Sequence, residues 1–363
     1  MPADQLLDYG DRVQVRKGDT VRIREVATEN DARKWEDYIL RAETAVLYHD
    51  LRWRDYLKRV YGLKTLYLLA ENQGRTVGVL PMALVKGLSG GLQAISSPYH
   101  MYGGVCADSH EAEAALLGDA EERLRLLGAD PWELRQIAPL SVNYGHRSDK
   151  ITVILDLPND PDQLWGSLSA KVRNQIRKGE KSGLTVTVGG ERSMEDFFDV
   201  MAVNMRDLGS PIHSFAFFKG AEELFPGETR VHRVFHEKRC IAAGVTILWK
   251  GKIELPWASA LRECSALCGN MFLYWNMIKD SIMRGATAFD FGRCTEGSGT
   301  HKFKTQWGGS EKRLHYYYWR KSGAHDIPAL HSGRGFQIAS GVWKRLPVRL
   351  TRVLGPKIVR MIP

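Results

Sequence analysis

RTVGVLPMALVKG at residues 75–87 and RCIAAGVTILWKG at residues 239–251 align without a gap. Each opens on arginine, runs through an apolar strand and ends in Lys-Gly. The surroundings repeat as well. Each segment is followed by a helix ending in Gly-Ala, at Gly128-Ala129 and Gly285-Ala286, and then by another strand. A shared strand together with a shared order of elements predicts two tandem copies of one plan, each a mixed sheet flanked by helices in an α/β (α+β) fold. In the first half, strands are expected at Arg22–Val26, Thr65–Glu71, Arg75–Val85 and Glu133–Ala138. Helices are expected at Asp31–Arg41, Asp50–Val60 and Glu111–Leu127, with Asn72-Gln73-Gly74 as a hairpin turn. A crossover strand, Lys150–Leu157, leads into the second half. There, helices at Asp162–Ser182, Met194–Leu208, Phe215–Leu224 and Phe272–Arg284 alternate with strands at Arg230–Phe235, Cys240–Trp249, Lys252–Ala258 and Phe289–Phe291. The expected domains are 1–150 and 151–325, followed by a tail, 326–363, with no low-complexity linker between the halves.

The chain has 363 residues, 44% of them hydrophobic and 26% charged, the composition of an ordinary globular protein. No apolar run approaches the roughly 20 residues needed to span a bilayer, and Met1–Arg24 has no apolar signal core, so a cytoplasmic location is expected. Five cysteines without CxxC spacing point to reduced thiols, and Cys264-x3-Cys268 lacks the second pair that a zinc site needs, so no metal is expected. The net charge of +9 is uneven: after Asp326 there are seven cations and no acid, which leaves +2 for everything before.

The chemistry-bearing stretches are few. FDFGRCTEGSGTHKFKTQWGG, residues 289–309, runs from a strand end into a glycine-rich basic loop. It matches neither the GxxxxGK[ST] phosphate loop nor GxGxxG, which excludes the common nucleotide folds. Arg293 stands beyond a strand's C-terminal end, where ligands of open α/β sheets bind, and Lys302, Lys304 and Trp307 offer charge and stacking. Helix Leu168–Gly183 presents Lys171, Arg173 and Arg177 either as a solvated face or as a platform for phosphates. SPYHMYGG, residues 97–104, is a loop able to enclose a ligand between the halves, with Tyr102 as a binding candidate. His213, in RDLGSPIHS, is a candidate base. In KIELPWASA, alternation would send Glu254, Pro256 and Ala258 to one face and Leu255, Trp257 and Ser259 to the other. Trp257 and Tyr274 are further binding candidates, and the absence of a GxSxG elbow argues against serine hydrolysis.

KVRNQIRKGEKSGL, WASA, NMFLYWNMIKDSIMRGATAFDFGR and GTHKFKTQWGG occur in the same order as the corresponding motifs of the FemAB-type transferases, and the chain resembles that family over about residues 20–320. SPYHMYGG, RDLGSPIHS and the basic tail are closer to a FemAB-like subgroup that accompanies exosortase (PEP-CTERM) and exopolysaccharide systems. The resemblance implies tandem GNAT-type N-acyltransferase domains and transfer of an acyl or aminoacyl group to an amine or hydroxyl. It also implies an aminoacyl-tRNA donor and a nucleotide- or lipid-linked acceptor of the cell envelope. Lys304 falls on the basic residue of the family's Phe-Lys motif, close to the donor and the reacting carbonyl. The helical hairpin that some members use for tRNA is absent from the second domain and the body is hardly basic, so acyl-CoA stays open as donor. Against it, RECSALCGN before Phe272 lacks the [QR]-x-x-G-x-[GA] pyrophosphate loop.

The expected mechanism is attack by an unprotonated amine or hydroxyl on an activated ester, with no tightly bound cofactor. Lys304 would stabilise the oxyanion or a donor phosphate, Glu254 or His213 would act as base, and Arg293 with the Lys171 face would hold acceptor phosphates. The rival is an inactive tandem domain serving as a membrane-surface scaffold. The tail, GVWKRLPVRLTRVLGPKIVRMIP, interleaves apolar and cationic residues, and Pro347 and Pro356 should break it into short segments. It suits an anionic membrane surface, with docking on the body or nucleic acid as alternatives.

Overall fold

The computed structural model describes residues 21–88, 90–322 and 333–362, with only the backbone of Arg334. The first half is built from β1 (Arg22–Glu25), α1 (Glu29–Arg41), α2 (Leu51–Tyr61), β2 (Lys64–Asn72), β3 (Arg75–Lys86), β4 (Leu92–Ile95), β5 (Cys106–Ala107), α3 (His110–Leu126), β6 (Trp132–Gln136) and β7 (Gly145–Asp156). The second comprises α4 (Pro161–Ser167), α5 (Ala170–Lys181), β8 (Leu184–Val188), α6 (Ser193–Leu208), α7 (Phe215–Leu224), β9 (Thr229–His236), β10 (Arg239–Trp249), β11 (Lys252–Ala260), α8 (Gly269–Met283), β12 (Ala288–Thr295), α9 (Gly299–Thr305) and β13 (Ser310–Trp319). Two tail helices follow, α10 (Arg334–Trp343) and α11 (Val348–Val359).

One continuous sheet joins the halves in the order β1-β2-β3-β4-β6-β13-β7-β12-β11-β10-β9-β8, with β5 added against β3. The repeat read from the sequence is realised as topology. Each half has four antiparallel strands, then a helix (α3 or α8), then a strand parallel to the fourth (β6 beside β4, β12 beside β11). The two aligned segments are the third strand of each set, β3 and β10. The last strand of each half is exchanged: β7 pairs with β12 of the second half, and β13 pairs with β6 of the first. Residue 150, expected as a domain boundary, lies inside β7.

Cores form on both faces of the sheet. One lies under α5 and α8 and includes Val172, Ile176, Leu273 and Ile278. Another draws on both halves, setting Tyr48, Trp53 and Tyr56 against Phe197, Phe217 and Phe218.

Several local expectations change. The helix expected at Asp162–Ser182 divides into α4 and α5. Ser169 caps the N-terminus of α5, and Arg173 turns back onto the carbonyls of Trp165, Gly166 and Leu168 at the end of α4. The loop after Arg293 contains α9, capped by Ser298, which accepts from the His301 amide. Pro347 marks a break in the tail as expected, but Pro356 lies inside α11. There Thr351, Gly355 and Val359 bury a face against the body, and packing outweighs helix propensity.

Candidate active site

Strands β11 and β12 run parallel through the pairs Lys252–Ala288, Ile253–Phe289 and Glu254–Asp290, and their pairing stops there. Each strand then carries a register shift against its other neighbour. In β11 the shift lies between Glu254 and Trp257, opposite β10, and in β12 between Asp290 and Arg293, opposite β7. A bulge puts an extra residue into a strand and turns the following side chains over. Leu255 therefore faces the α5/α8 core while Trp257 joins Phe217 and Phe218 on the opposite face, so the simple alternation expected for KIELPWASA fails at Pro256. Two neighbouring bulges spread the strands apart immediately beyond two adjacent carboxylates.

Glu254 and Asp290 project to the face away from α8 and meet Tyr102 of the 97–104 loop. Tyr102 contacts both oxygens of Glu254 at 3.2 Å and Oδ2 of Asp290 more closely. Asp290 also accepts from the Thr152 hydroxyl and, at 2.7 Å, from the Gly292 amide. One phenol carries one proton and cannot donate to two carboxylates at once. Asp290, with three donors, is the anion. The Tyr102 proton therefore goes mainly to Asp290, and Glu254, accepting from the same hydroxyl at 3.2 Å, is held only weakly. The electrostatics agree. Burial raises Glu254 well above the usual carboxylate range, and the Asp290 charge adds to this. Burial also raises Asp290, but its hydrogen bonds to Thr152, Tyr102 and Gly292 pull the other way. Burial first, then the two carboxylates, pushes the Tyr102 phenol far up, so it stays a neutral relay.

Tyr102, Glu254 and Asp290 line a cleft of about 890 Å³ between the halves. Its first-half wall comes from the end of α1, residues 102–107 and residues 136–140, and the facing wall from the exchanged strand β7 together with β11, β12 and the start of β13. Lys250 fixes one corner by donating to the carbonyls of Ile39 and Ala42 at 2.8 and 2.7 Å, and Lys252 and Lys312 add charge to the lining. Met101 reaches the splayed strands from the same loop as Tyr102. Its sulfur accepts from the Arg293 amide at 3.0 Å, and its carbonyl accepts from Tyr316 at 2.6 Å.

Lys304, on α9, is 5% exposed and donates to the carbonyls of Gly292 and Arg293 at 2.6 and 3.1 Å, holding the β12 bulge from behind. Burial lowers it to about 8, with the Cys294 and Asp290 charges acting in the opposite sense. Arg293 is exposed and donates to the Tyr316 hydroxyl at 2.9 Å. Tyr274 lies on the α8 side, stacked on Phe291 at 5.9 Å and edge-on to Phe303, and Lys302 is exposed on α9. Lys171, Arg173 and Arg177 belong to α5, across the sheet from the carboxylates; none lines the cleft, and Arg177 lies over the Trp165 ring. His213 is half-buried in an aromatic stack, 4.0 Å from the Phe217 ring and bonded to the Tyr61 hydroxyl at 2.5 Å. Burial alone lowers it to about 3.

The structure therefore brings Tyr102 and Glu254 together, sets Lys304 and Arg293 at the adjoining bulge, and leaves the α5 cations and His213 elsewhere. Asp290 and Thr152 were not singled out from the sequence. The available signal was an acid between two phenylalanines in FDF, a charge inside a strand that periodicity marks as buried. Among the described residues, no cluster of three or more His, Cys, Asp or Glu side chains is arranged to hold a metal ion.

Residues 166–305 match the family model for an acetyltransferase (GNAT) domain. No curated protein sequence matches the chain. The fold is similar to that of the crystal structure of FemX, at 14% identity over 83% of this chain and 98% of that one, with a TM-score of 0.64. It is also similar to the C-terminal domain of a putative lysylphosphatidylglycerol synthetase from Agrobacterium fabrum, at 12% identity over 82% of this chain and 93% of that one, with a TM-score of 0.52. A tandem GNAT protein from the clavulanic acid biosynthesis pathway aligns at 11% identity over 82% and 98% of the two chains, with a TM-score of 0.51. At such identities the likeness is one of fold. The chain is thus an α/β protein of two tandem GNAT-like halves, with the acetyltransferase (GNAT) domain match in the second.

Proposed function

We propose that this chain is an acyltransferase that moves an activated acyl group to an amine or hydroxyl acceptor bound in the cleft between its halves. The observation that carries this reading is the Glu254–Tyr102–Asp290 set at the point where β11 and β12 part. Buried, mutually coupled carboxylates are costly to a fold and cluster where proton transfer is needed. That favours an enzyme over an inactive scaffold.

In the proposed step the acceptor nitrogen or oxygen attacks the donor's carbonyl carbon. Its proton passes to Glu254, the bond to the thiol or ribose oxygen of the donor breaks, and Glu254 returns the proton to that leaving group. A carboxylate raised toward neutrality is better matched to both transfers than one at its ordinary value. Burial supplies most of that shift, the Asp290 charge adds to it, and the Tyr102 hydrogen bond holds it back. Lys304 is assigned a positioning role: with its ammonium held on two backbone carbonyls, it fixes the bulge that spreads β12 from β11. Arg293, at the mouth of the same bulge, is the candidate for donor or acceptor phosphate.

The GNAT domain match favours an acyl-CoA donor. The FemAB-type resemblance and the likeness to FemX favour an aminoacyl-tRNA donor and an acceptor in envelope or exopolysaccharide assembly. The α5 cations are too far round the sheet to serve the cleft, and they remain available to a donor on the α8 side. The test is to incubate the protein with an acyl-CoA panel and with charged tRNAs, each with nucleotide- and lipid-linked glycan acceptors, and to follow donor consumption. Acceptor-dependent consumption of one donor class supports the reading. Consumption of none, by folded protein across the panel, leaves the scaffold reading in its place.

A further inference from the structure

The tail helices carry a surface that the cleft does not use. Of the twelve large apolar side chains exposed among the described residues, five lie in the tail: Phe336, Ile338, Val342, Leu350 and Val353. They stand among seven cations with no acid after Asp326. The inner side of this segment is already occupied. Thr351, Gly355 and Val359 are buried, a Cβ at Gly355 would come within 2.7 Å of the Ile212 carbonyl, and Arg352 pairs with Asp199 of α6 at 2.6 Å. Tyr99 donates to the Arg360 carbonyl at 2.7 Å, tying the end of α11 to the loop that carries Tyr102. With that face fixed, helical spacing turns Leu350, Val353, Lys357 and Arg360 outward together, and Ile338 and Val342 share the outer side of α10.

We propose that this outer face is a docking surface for a lipid bilayer bearing anionic headgroups. Its charge and its shape are both complementary to such a surface. Apolar side chains enter the headgroup boundary while interleaved lysine and arginine side chains stay at the level of the phosphates. Helices of 10 and 12 residues lie in that plane and do not cross it, and no helix among the described residues is long and apolar enough to span a membrane. The docked half of the tail, tied through Arg360 to Tyr99 of the 97–104 loop, gives the attachment one orientation. This inference rests on the tail alone and stands or falls separately from the acyl-transfer reading.

The test is sedimentation of the full-length chain with vesicles of phosphatidylcholine alone or mixed equally with phosphatidylglycerol, at low and high salt. Two variants are compared: Ile338→Glu/Val353→Glu, and Arg345→Glu/Arg349→Glu/Lys357→Glu, all at exposed positions outside the cleft. Wild-type protein is expected to bind the anionic vesicles, more weakly in high salt. Each variant is expected to lose at least about tenfold in partitioning, at an unchanged thermal midpoint. Equal binding to neutral vesicles, or undiminished binding by both variants, overturns the proposal. So does a wild-type chain that ignores both vesicles but binds a short RNA or DNA duplex through the same cations. If one variant melts early, the other decides.

Discussion

The proton arrangement at Glu254, Tyr102 and Asp290 makes a sharp statement about pH. The Tyr102 hydroxyl lowers both carboxylates by hydrogen bonding, against the burial that raises them. Removing it should therefore move Glu254 further up. For Tyr102→Phe, the acid limb of the pH profile of kcat/KM is expected to shift toward alkaline pH, because a higher pH is then needed to free Glu254 as a base. A residue that merely filled space would lower the rate at every pH and leave the limb in place. At this scale the sequence was partly legible. Glu254 and Tyr102 could be singled out as polar groups in a strand and an enclosing loop, but nothing in one dimension tells that residues 102, 152, 254 and 290 share one hydrogen-bonded cluster. His213 shows the opposite failure. A histidine in the RDLGSPIHS segment reads as a candidate base, yet its ring is stacked among phenylalanine and tyrosine side chains and kept neutral by desolvation.

Among the elements, the paired bulges in β11 and β12 matter most. Gly292 sits at φ +75°, and a Cβ there would lie 2.6 Å from the Met101 methyl group and 3.1 Å from the Leu255 carbonyl. Gly292→Ala is thus expected to cost about 1–3 kcal/mol in backbone strain and to push Met101 off the splay. Thermal unfolding and kcat read the two effects, and a variant with wild-type Tm and wild-type rate would show that the bulge is not needed in this form. The strands were legible because alternation and flanking glycines announce them. Their bulges were not, since an extra residue leaves composition unchanged and merely reverses the facing of the side chains beyond it. The same holds for the break between α4 and α5: Leu164, Leu168, Val172 and Ile176 keep a helical period straight across it, and only the fold-back of Arg173 and the Ser169 cap reveal the interruption.

For the molecule as a whole, the tandem plan was legible from the aligned strands, but the exchange of last strands was not. Order along the chain says that β7 follows β6 and β13 follows β12; it does not say that each crosses to the other half. The exchange binds the halves through one sheet and one shared aromatic core, so neither can lose its structure without exposing the other's edge. Unfolding in urea is expected to give a single transition, with tryptophan fluorescence and far-ultraviolet circular dichroism coincident; two separated transitions would mean that the halves are independent. Proton transfer at Glu254 is the step proposed to serve acyl transfer in the shared cleft. It is tested most directly by the pH profile of kcat/KM for Glu254→Gln beside wild type, using whichever donor the panel identifies. The substitution keeps size and hydrogen bonding while removing the titrating proton. A loss of about 10²–10⁴-fold, with the acid limb abolished, is expected. An unchanged limb at near wild-type rate would contradict the assignment.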